Sequence, residues 1–182
     1  MRKLLFIAAL VIGMSACEEK EINLYPSIEE SAKVDITTGD FEESAIIYSS
    51  AISNAVDEAV DGDGDIERVV IEGIWFELTP KSKNTAQSMT VNLSIKKWGT
   101  EEYEAILDDF TFDIKEGKVN FIKELKAAGI LVLKEQINAL ALGTASNDIK
   151  FEIEGDVTPE GSEVNVELEV FVSGTVVYGT TI

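Results

Sequence analysis

Apolar and polar residues alternate strictly in the last third of the chain, and this alternation constrains the fold more than any other feature. In the segment Val164–Val172 every second residue is aliphatic, and Asn165, Glu167 and Glu169 occupy three of the four intervening positions. The segment Met89–Trp98 repeats the pattern. A period of two places successive side chains on opposite faces of a β-strand. Both segments are therefore predicted to be strands with one buried face and one solvated face.

Four further segments are predicted to be strands. Ile149–Ile153 alternates cleanly, whereas Phe110–Ile114 and Thr175–Ile182 are short. Ile66–Leu78 is apolar on both faces, which is typical of a central or doubly covered strand. The pattern predicts a mainly β fold over residues 34–182: an antiparallel β-sandwich, immunoglobulin-like or jelly-roll-like, with one or two helices. No β-α-β rhythm is present, which argues against a doubly wound fold.

The segment Asp40–Val60 carries the clearest helical period. Its apolar residues recur at steps of three and four. Asp40 is a candidate N-cap, and Glu43 lies three positions later, as in a capping box. We therefore predict one helix over the whole segment.

The segment Gly117–Leu142 is ambiguous. Its first half fits one helical face, so we predict a helix that ends at about Ala128. Gly129 then suits the position after a helix C-terminus, where a left-handed backbone is common. Residues 130–142 are short apolar runs that period alone cannot assign, and either a continued helix or a buried strand fits them.

The charge and the missing residue types exclude several functions. The 182-residue chain has 15 Lys+Arg against 34 Asp+Glu, a formal net charge of −19. Such a surface opposes nucleic-acid binding, which needs clustered Lys and Arg. The chain has no His and one Cys. The sequence therefore excludes His-dependent triads, His-ligated metal sites, internal disulfides and Cys-x-x-Cys pairs.

The first seventeen residues have the organisation of a signal peptide. Arg2 and Lys3 form a basic start, Leu4–Ile12 is an uninterrupted apolar run, and residues 13–16 precede Cys17. The apolar run is too short to span a bilayer as a helix, which needs ~20 residues. The segment therefore predicts export and cleavage, and an ordinary secretory signal with a chance Cys remains an alternative.

The stretch Met14–Cys17 resembles a bacterial lipobox, although Met14 stands where Leu is usual. The resemblance implies cleavage after residue 16, a diacylglyceryl thioether on Cys17 and acylation of its new amino group. Residues 17–33 are predicted to form an acidic tether, and Glu18–Glu21 resembles the export tags of Bacteroidota lipoproteins. The alternative for this run is a solvated spacer. Together these features predict a protein anchored to the lipid bilayer of the cell envelope, at the outer membrane, facing the periplasm or the cell surface.

An acidic loop between the first predicted helix and strand is the best metal candidate. Carboxylates recur there at alternate positions, as calcium-binding loops require. The candidate ligands for Ca²⁺ are Asp61, Asp63, Asp65, Glu67 and Glu72. The spacing is similar to that of an EF-hand loop, but Ile66 occupies the position of the turn glycine. The alternative is a flexible, solvated connection without a cofactor.

The two tryptophans and one asparagine are the candidate ligand-binding residues. Trp75 and Trp98 each lie opposite the main apolar row of their strands. If those strands pair, both indoles meet on one outer face, where Asn92 adds a polar group suited to a glycan or a protein ligand. The alternative, which we favour, is that the predicted helix Asp40–Val60 covers this face and buries both indoles.

No catalytic constellation is present in the sequence. Carboxylate pairs such as Glu101–Glu102 and Asp108–Asp109 are common on polar strand faces, and nothing marks one of them as an acid–base pair. Val34–Ile182 resembles the small β-sandwich domains of Bacteroidota lipoproteins, a resemblance of strand rhythm that implies no activity. We predict a non-catalytic binding module for a glycan or protein ligand. The alternatives are a structural or assembly subunit and a carboxylate-dependent glycoside hydrolase.

Overall fold

The computed structural model describes residues 21–60, 65–121 and 123–181. It contains nine strands and two helices in these ranges. The strands are β1 (Glu21–Leu24), β2 (Ser27–Ile36), β3 (Asp40–Ile47), β4 (Asp65–Pro80), β5 (Ser88–Lys96), β6 (Tyr103–Asp113), β7 (Gly117–Asn120), β8 (Ile149–Thr158) and β9 (Val166–Thr181). The helices are α1 (Ser49–Ala59) and α2 (Ala127–Ala141).

The strands form two antiparallel sheets. In the five-stranded sheet, β9 is central: β4 pairs with one side of it, and β7 pairs with the far side of β4. Both β1 and β2 pair with the other side of β9, one after the other. Pro26 lies between them, and its carbonyl accepts a hydrogen bond of 2.9 Å from the backbone N–H of Val176.

The second sheet has four strands in the order β3-β8-β5-β6. With β2-β9-β4-β7 opposite, the two sheets have the strand order of a jelly roll. The predicted fold class, a mainly β antiparallel sandwich with two helices, is therefore confirmed. No helix in the described ranges is long and apolar enough to span a bilayer.

The inward-facing aliphatic side chains hold the two sheets together. On β5 the alternate residues Met89, Val91, Leu93 and Ile95 are all at most 1 % exposed. On β9 the corresponding residues from Val166 to Val172 are at most 4 % exposed, while the intervening Glu167 and Glu169 face outward. Each such side chain stabilises the fold by ~1.5–3 kcal/mol when fully buried. The strict alternation in the sequence therefore marks the faces that form the core.

The prediction of a helix over Asp40–Val60 is wrong in its first half. Residues 40–47 form strand β3, and the helix begins only at Ser49. Phe41 and Ala45 are four residues apart, a spacing that fits one face of a helix and one face of a strand equally well. Pairing with β8 decides in favour of the strand, and Asp40 lies opposite Asp156 instead of capping a helix.

The prediction of a helix ending near Ala128 is also wrong, and the undecided residues form the helix. Residues 117–120 form the short strand β7, and α2 runs from Ala127 to Ala141. Gly129 lies in the first turn of α2, where it is buried against β6. A glycine here removes the side chain that would separate the helix from the sheet. The residue therefore permits a close approach and does not end a helix.

The tether prediction is wrong for residues 21–33. Most of this stretch belongs to β1 and β2, which pair regularly with β9. Its polar and apolar residues follow no regular period, so the sequence did not predict these strands. The rest of the predicted tether, the signal peptide and Cys17 lie outside the described residues. At the other end of the chain, the two predicted C-terminal strands form the single 16-residue strand β9.

A bulge in β4 changes which residues of this strand face the core. The register with β9 shifts between Ile71 and Gly73. One extra residue in a strand reverses the inside–outside alternation beyond it. Val69 therefore shares the inner face with Ile74, whereas Val70 is 40 % exposed. A strict period of two would place Val70 on the same face as Ile74, so the sequence pattern alone does not reveal the bulge.

The close contact at Gly129 gives a test of the fold. A Cβ atom on Gly129 would overlap the carbonyl oxygen of Ala105 and lie 2.8 Å from Cγ1 of Ile106. We expect Gly129→Ala to lower the free energy of unfolding by ~1–3 kcal/mol, although alanine improves helix propensity by ~1 kcal/mol. Chemical denaturation measures the change.

The matched control is Gly39→Ala, because a Cβ atom there meets only Cγ2 of Val157 at 3.8 Å. We expect this control to leave stability within ~0.5 kcal/mol of the parent. A Gly129→Ala protein as stable as the control would contradict the close packing of α2 on β6.

Candidate functional site

The structure does not gather the predicted calcium ligands around one point. Asp61 and Asp63 lie outside the described residues. Asp65 and Glu72 lie on the extended strand β4, roughly 20 Å apart at ~3.3 Å per residue. Glu67 pairs with Arg68 at 3.4 Å, and Glu72 accepts a hydrogen bond from the hydroxyl of Thr175. The five carboxylates therefore cannot converge on a single ion.

Trp75 lies on β4 of the five-stranded sheet, whereas Trp98 lies in the turn after β5 of the other sheet, so the two do not form the shared face that pairing of their strands would have produced. Trp75 is on β4, 8 % exposed, and its ring stacks on Phe171 with centroids 5.3 Å apart. The ammonium of Lys118 lies 3.3 Å from the Trp75 ring centroid. The indole N–H is buried and has no hydrogen-bond partner among the described residues. Trp75 is therefore enclosed by its neighbours, although α1 is not what covers it.

Asn92 has a structural partner. Its Oδ1 accepts a hydrogen bond of 2.7 Å from the backbone N–H of Asp109. Asp109 has a φ of 47° and lies where the register between β5 and β6 is irregular. Asn92 therefore stabilises the irregular backbone of β6 at this position. In the strand pairing, Asn92 lies opposite Glu154 and not beside either tryptophan.

Three carboxylates lie close together on the outer face of the four-stranded sheet. Glu42 on β3 is directly opposite Glu154 on β8, and Glu152 is two residues before Glu154 on the same face. One oxygen from each of the three lies within 4.8 Å of the others. Loss of hydration raises the pKa of Glu152, and the charges of Glu154 and Glu42 raise it further. These groups could share a cation, but carboxylates on exposed strand faces commonly lie together without one.

Trp98 lies in the tight turn that joins β5 and β6. The carbonyl of Lys97 accepts the backbone N–H of Thr100 at 3.4 Å. Gly99 has a φ of 75°, which a type II turn requires at its third residue. The sequence Trp98-Gly99-Thr100 thus builds the turn. The indole N–H of Trp98 donates to the backbone carbonyl of Asp148 at 3.0 Å, which fixes the half-buried ring against the loop that precedes β8.

A cavity of about 420 Å³ opens beside Trp98. The turn after β5 and the loop before β8 form its walls, and several other depressions of the surface have a similar volume. Its chemistry distinguishes it, because it combines an indole with hydroxyl, amide and ammonium groups. The side chains that supply these groups are Trp98, Thr100, Ser146, Asn147, Lys96, Lys97 and Lys150, and the acidic residues in its lining are Glu101 and Asp148.

The lysines of this cavity differ in how they are paired. Lys97 forms ion pairs with Glu104 at 2.9 Å and with Glu102 at 3.5 Å, both outside the lining. Lys96 Nζ lies 2.5 Å from the carboxylate of Glu101, whose side chain is 93 % exposed. This hydrogen bond raises the pKa of Lys96 and lowers that of Glu101. Lys150 makes no ion pair with any described residue. The carboxylate of Asp148 already has a partner within the protein, because its Oδ1 accepts a hydrogen bond of 2.9 Å from the backbone N–H of Ser49 at the start of α1.

A second groove of about 370 Å³ lies on the side of Trp98 that faces α2. Its walls include Val132 and Ala139, and Gln136 also lines it. Gln136 is 4 % exposed, and its Nε2 donates to the carbonyl of Lys96 at 2.8 Å. Its Oε1 is buried without a hydrogen-bond partner among the described residues. Trp98 therefore forms a wall shared by a polar cavity and a largely apolar groove.

The sequence identified Trp98 but not its neighbours. The run Lys96-Lys97-Trp98 places two ammonium groups beside an indole, and this adjacency is the signal that sequence reasoning did not use. No comparable signal marks Lys150 or Gln136, because each reaches the site through the pairing of β8 with β5 or through the docking of α2.

Comparison with known proteins finds likenesses of structure only. No protein-family model and no curated protein match the sequence. A structure of Desmodium yellow mottle tymovirus is similar with a TM-score of 0.40 and 9 % identity, covering 88 % of this chain and 90 % of that chain. A structure of empty-head turnip yellow mosaic virus has a TM-score of 0.38 and 12 % identity, covering 88 % of this chain and 83 % of that chain. The decameric BFDV capsid protein has a TM-score of 0.35 and 9 % identity, covering 87 % of this chain and 99 % of that chain. No function is inferred from these likenesses.

The crowded carboxylates give a prediction about pH. Glu152 has a pKa above its ordinary value of 4.5, so the folded protein binds more protons than the unfolded chain just above that pH. Stability contributed by this group therefore falls as pH rises through the window above 4.5. We expect Glu152→Gln to raise the melting temperature at pH 7, and we expect this gain to disappear near pH 3.5.

Thermal melts across this pH range should include Glu116→Gln as control. Glu116 is exposed and makes no ion pair with the described residues, so its substitution reports only the general relief of the net charge. Equal gains for the two variants at pH 7 would show that Glu152 experiences no specific repulsion.

Proposed function

We propose that this protein is a lipid-anchored, non-catalytic glycan-binding module of a bacterial cell envelope. The observation that carries the proposal is the cavity beside Trp98, in which an indole is surrounded by the hydroxyls of Thr100 and Ser146 and the amide of Asn147. An aromatic ring binds the apolar face of a sugar, and convergent polar groups bind its hydroxyls. The volume, about 420 Å³, lies within the ~300–1,000 Å³ range of small-ligand sites.

The rigidity of Trp98 supports binding at this position. Its N–H is held by the carbonyl of Asp148, and the backbone before it is held by Gln136 through Lys96. A ring that is already fixed loses little conformational freedom when a ligand packs on it, which favours affinity.

The charges around the cavity favour binding over hydrolysis. A carboxylate-dependent glycosidase needs one carboxyl group with a raised pKa to protonate the leaving oxygen. The hydrogen bond from Lys96 instead lowers the pKa of Glu101. Asp148 accepts a backbone hydrogen bond from Ser49. Neither group is therefore suited to act as a general acid, so we propose a binding module and not an enzyme.

The alternative of an assembly subunit has less support from the sheet edges. Strand β6 is an edge of the four-stranded sheet, where a partner strand would have to pair. The carbonyl of Ile106 already accepts the backbone N–H of Lys126 at 2.8 Å, and α2 packs on Ala105 through Gly129. This edge is therefore partly covered by the chain itself.

The glycan-binding proposal predicts that ligand contact is confined to Trp98. The chain has two tryptophans, so Trp75→Phe leaves Trp98 as the only indole. We expect this variant to bind oligosaccharides on a glycan array like the parent and to show a fluorescence change on binding. Trp98→Ala should lose at least about tenfold in affinity, equal to ~1.4 kcal/mol, as expected for removal of an aromatic contact.

Thermal melts of both variants control for loss of fold. Trp98→Phe serves as a milder substitution, because it keeps a ring while removing the N–H that donates to Asp148. We expect it to retain part of the affinity. Binding that survives Trp98→Ala, or an array on which the parent binds no glycan, would refute the proposal.

The proposed anchor is tested separately at Cys17. We expect Cys17→Ala to move the protein from the membrane fraction of the native bacterium to its soluble fraction, because durable anchoring needs two or more acyl chains. Intact-mass measurement of the parent should show loss of residues 1–16 and the added mass of the acyl groups. A parent protein with a free Cys17 thiol would contradict the anchor and leave the glycan site unaffected.

A further inference from the structure

The cavity beside Trp98 concentrates positive charge on an acidic protein. The whole chain has a formal charge of −19, yet three of its 15 basic residues, Lys96, Lys97 and Lys150, line this one cavity. Only two acidic residues share the lining. Lys97 is paired with Glu102 and Glu104, which lie outside the lining, so the positive charge open to a ligand is that of Lys96 and Lys150.

The acidic residues in the lining do not neutralise this charge firmly. Glu101 is 93 % exposed, so solvent screens its ion pair with Lys96 and weakens it. A ligand anion can replace it at little cost. Lys150 forms no ion pair with a described residue, although its charge contributes to lowering the pKa of Glu101. Asp148 accepts the N–H of Ser49, so its charge is partly compensated by the protein.

The remaining lining groups suit a sugar more than a bare ion. Inorganic phosphate or sulfate would use the ammonium groups and leave Trp98 without a role. A sugar acid uses both, because a carboxylate binds ammonium groups while the ring carbons pack on an aromatic side chain. Ser146 and Asn147 can exchange hydrogen bonds with ring hydroxyls, whereas the hydroxyl of Thr100 is used within the turn, where it donates to the carbonyl of Lys97 and accepts from the N–H of Glu102.

We propose that the ligand of this cavity is an acidic oligosaccharide: the carboxylate of a uronic acid binds between Lys150 and Lys96, and its ring lies against Trp98. The proposal rests on the glycan-binding function proposed above and specifies its ligand class. Because the protein has a high negative charge, much of its surface repels such a polymer, and the lysines of this cavity offer it a local attraction. Binding should therefore be strongest with lysines intact and should weaken as salt screens the charges.

The test compares each acidic tetrasaccharide with its neutral methyl ester. Tetrasaccharides of galacturonate, alginate and hyaluronan serve as probes, and isothermal titration at low and physiological salt measures affinity. We expect at least one acid to bind at least about tenfold more tightly than its ester. We expect Lys150→Gln to weaken binding of that acid by about tenfold and to change binding of the ester less than twofold.

Lys123→Gln is the matched control, because Lys123 is exposed and does not line the cavity. It should leave both affinities unchanged. An acid and an ester that bind equally, or a Lys150→Gln protein that binds the acid normally, would overturn the acidic ligand while preserving a glycan site at Trp98. Failure of every acidic and neutral oligosaccharide to bind would overturn the glycan-binding function itself. Binding of sulfate as tight as that of the acid would show a simple anion site and overturn both.

Discussion

Pairing along both sides of β9 is the constraint on which the five-stranded sheet depends. This 16-residue strand carries β4 on one side and both β1 and β2 on the other. Its inner aliphatic residues form one wall of the core, and β5 supplies the same alternation in the opposite wall. Because β9 makes backbone hydrogen bonds along both edges and buries one face, any displacement of this strand would break hydrogen bonds and expose apolar side chains. The rest of the fold is therefore arranged around a rigid centre.

The region around Trp98 is connected to this framework through backbone contacts. Gln136 links α2 to the end of β5 through the carbonyl of Lys96. Asp148 contacts two elements at once: its carbonyl holds the indole of Trp98, and its carboxylate holds the first N–H of α1. The cavity thus lies between a hairpin turn and a loop, and hydrogen bonds connect the turn to α2 and the loop to α1.

The sequence predicted the strands of the core well because their alternation is the direct mark of one buried face. It failed where the spacing of apolar residues fits two structures, as at Phe41 and Ala45, which only the pairing of β3 with β8 places in a strand. It failed again at Gly129, where a glycine serves a close contact between helix and sheet instead of a helix end. Of the described candidate residues, Trp98 lines the cavity whose chemistry suits a ligand. Trp75 and Asn92 are used within the fold, and Lys150 joins the site only through a sheet pairing that no local pattern reveals.

The bulge near Glu72 governs how β4 can vary in length. On one side of it Val69 faces the core, and on the other side Ile74 does, although five positions separate them. Removing the extra residue would turn every side chain on one flank over, which would expose aliphatic groups and bury charged ones. A change of length by a single residue within this strand therefore reverses one flank, unless a bulge takes up the extra residue as it does here.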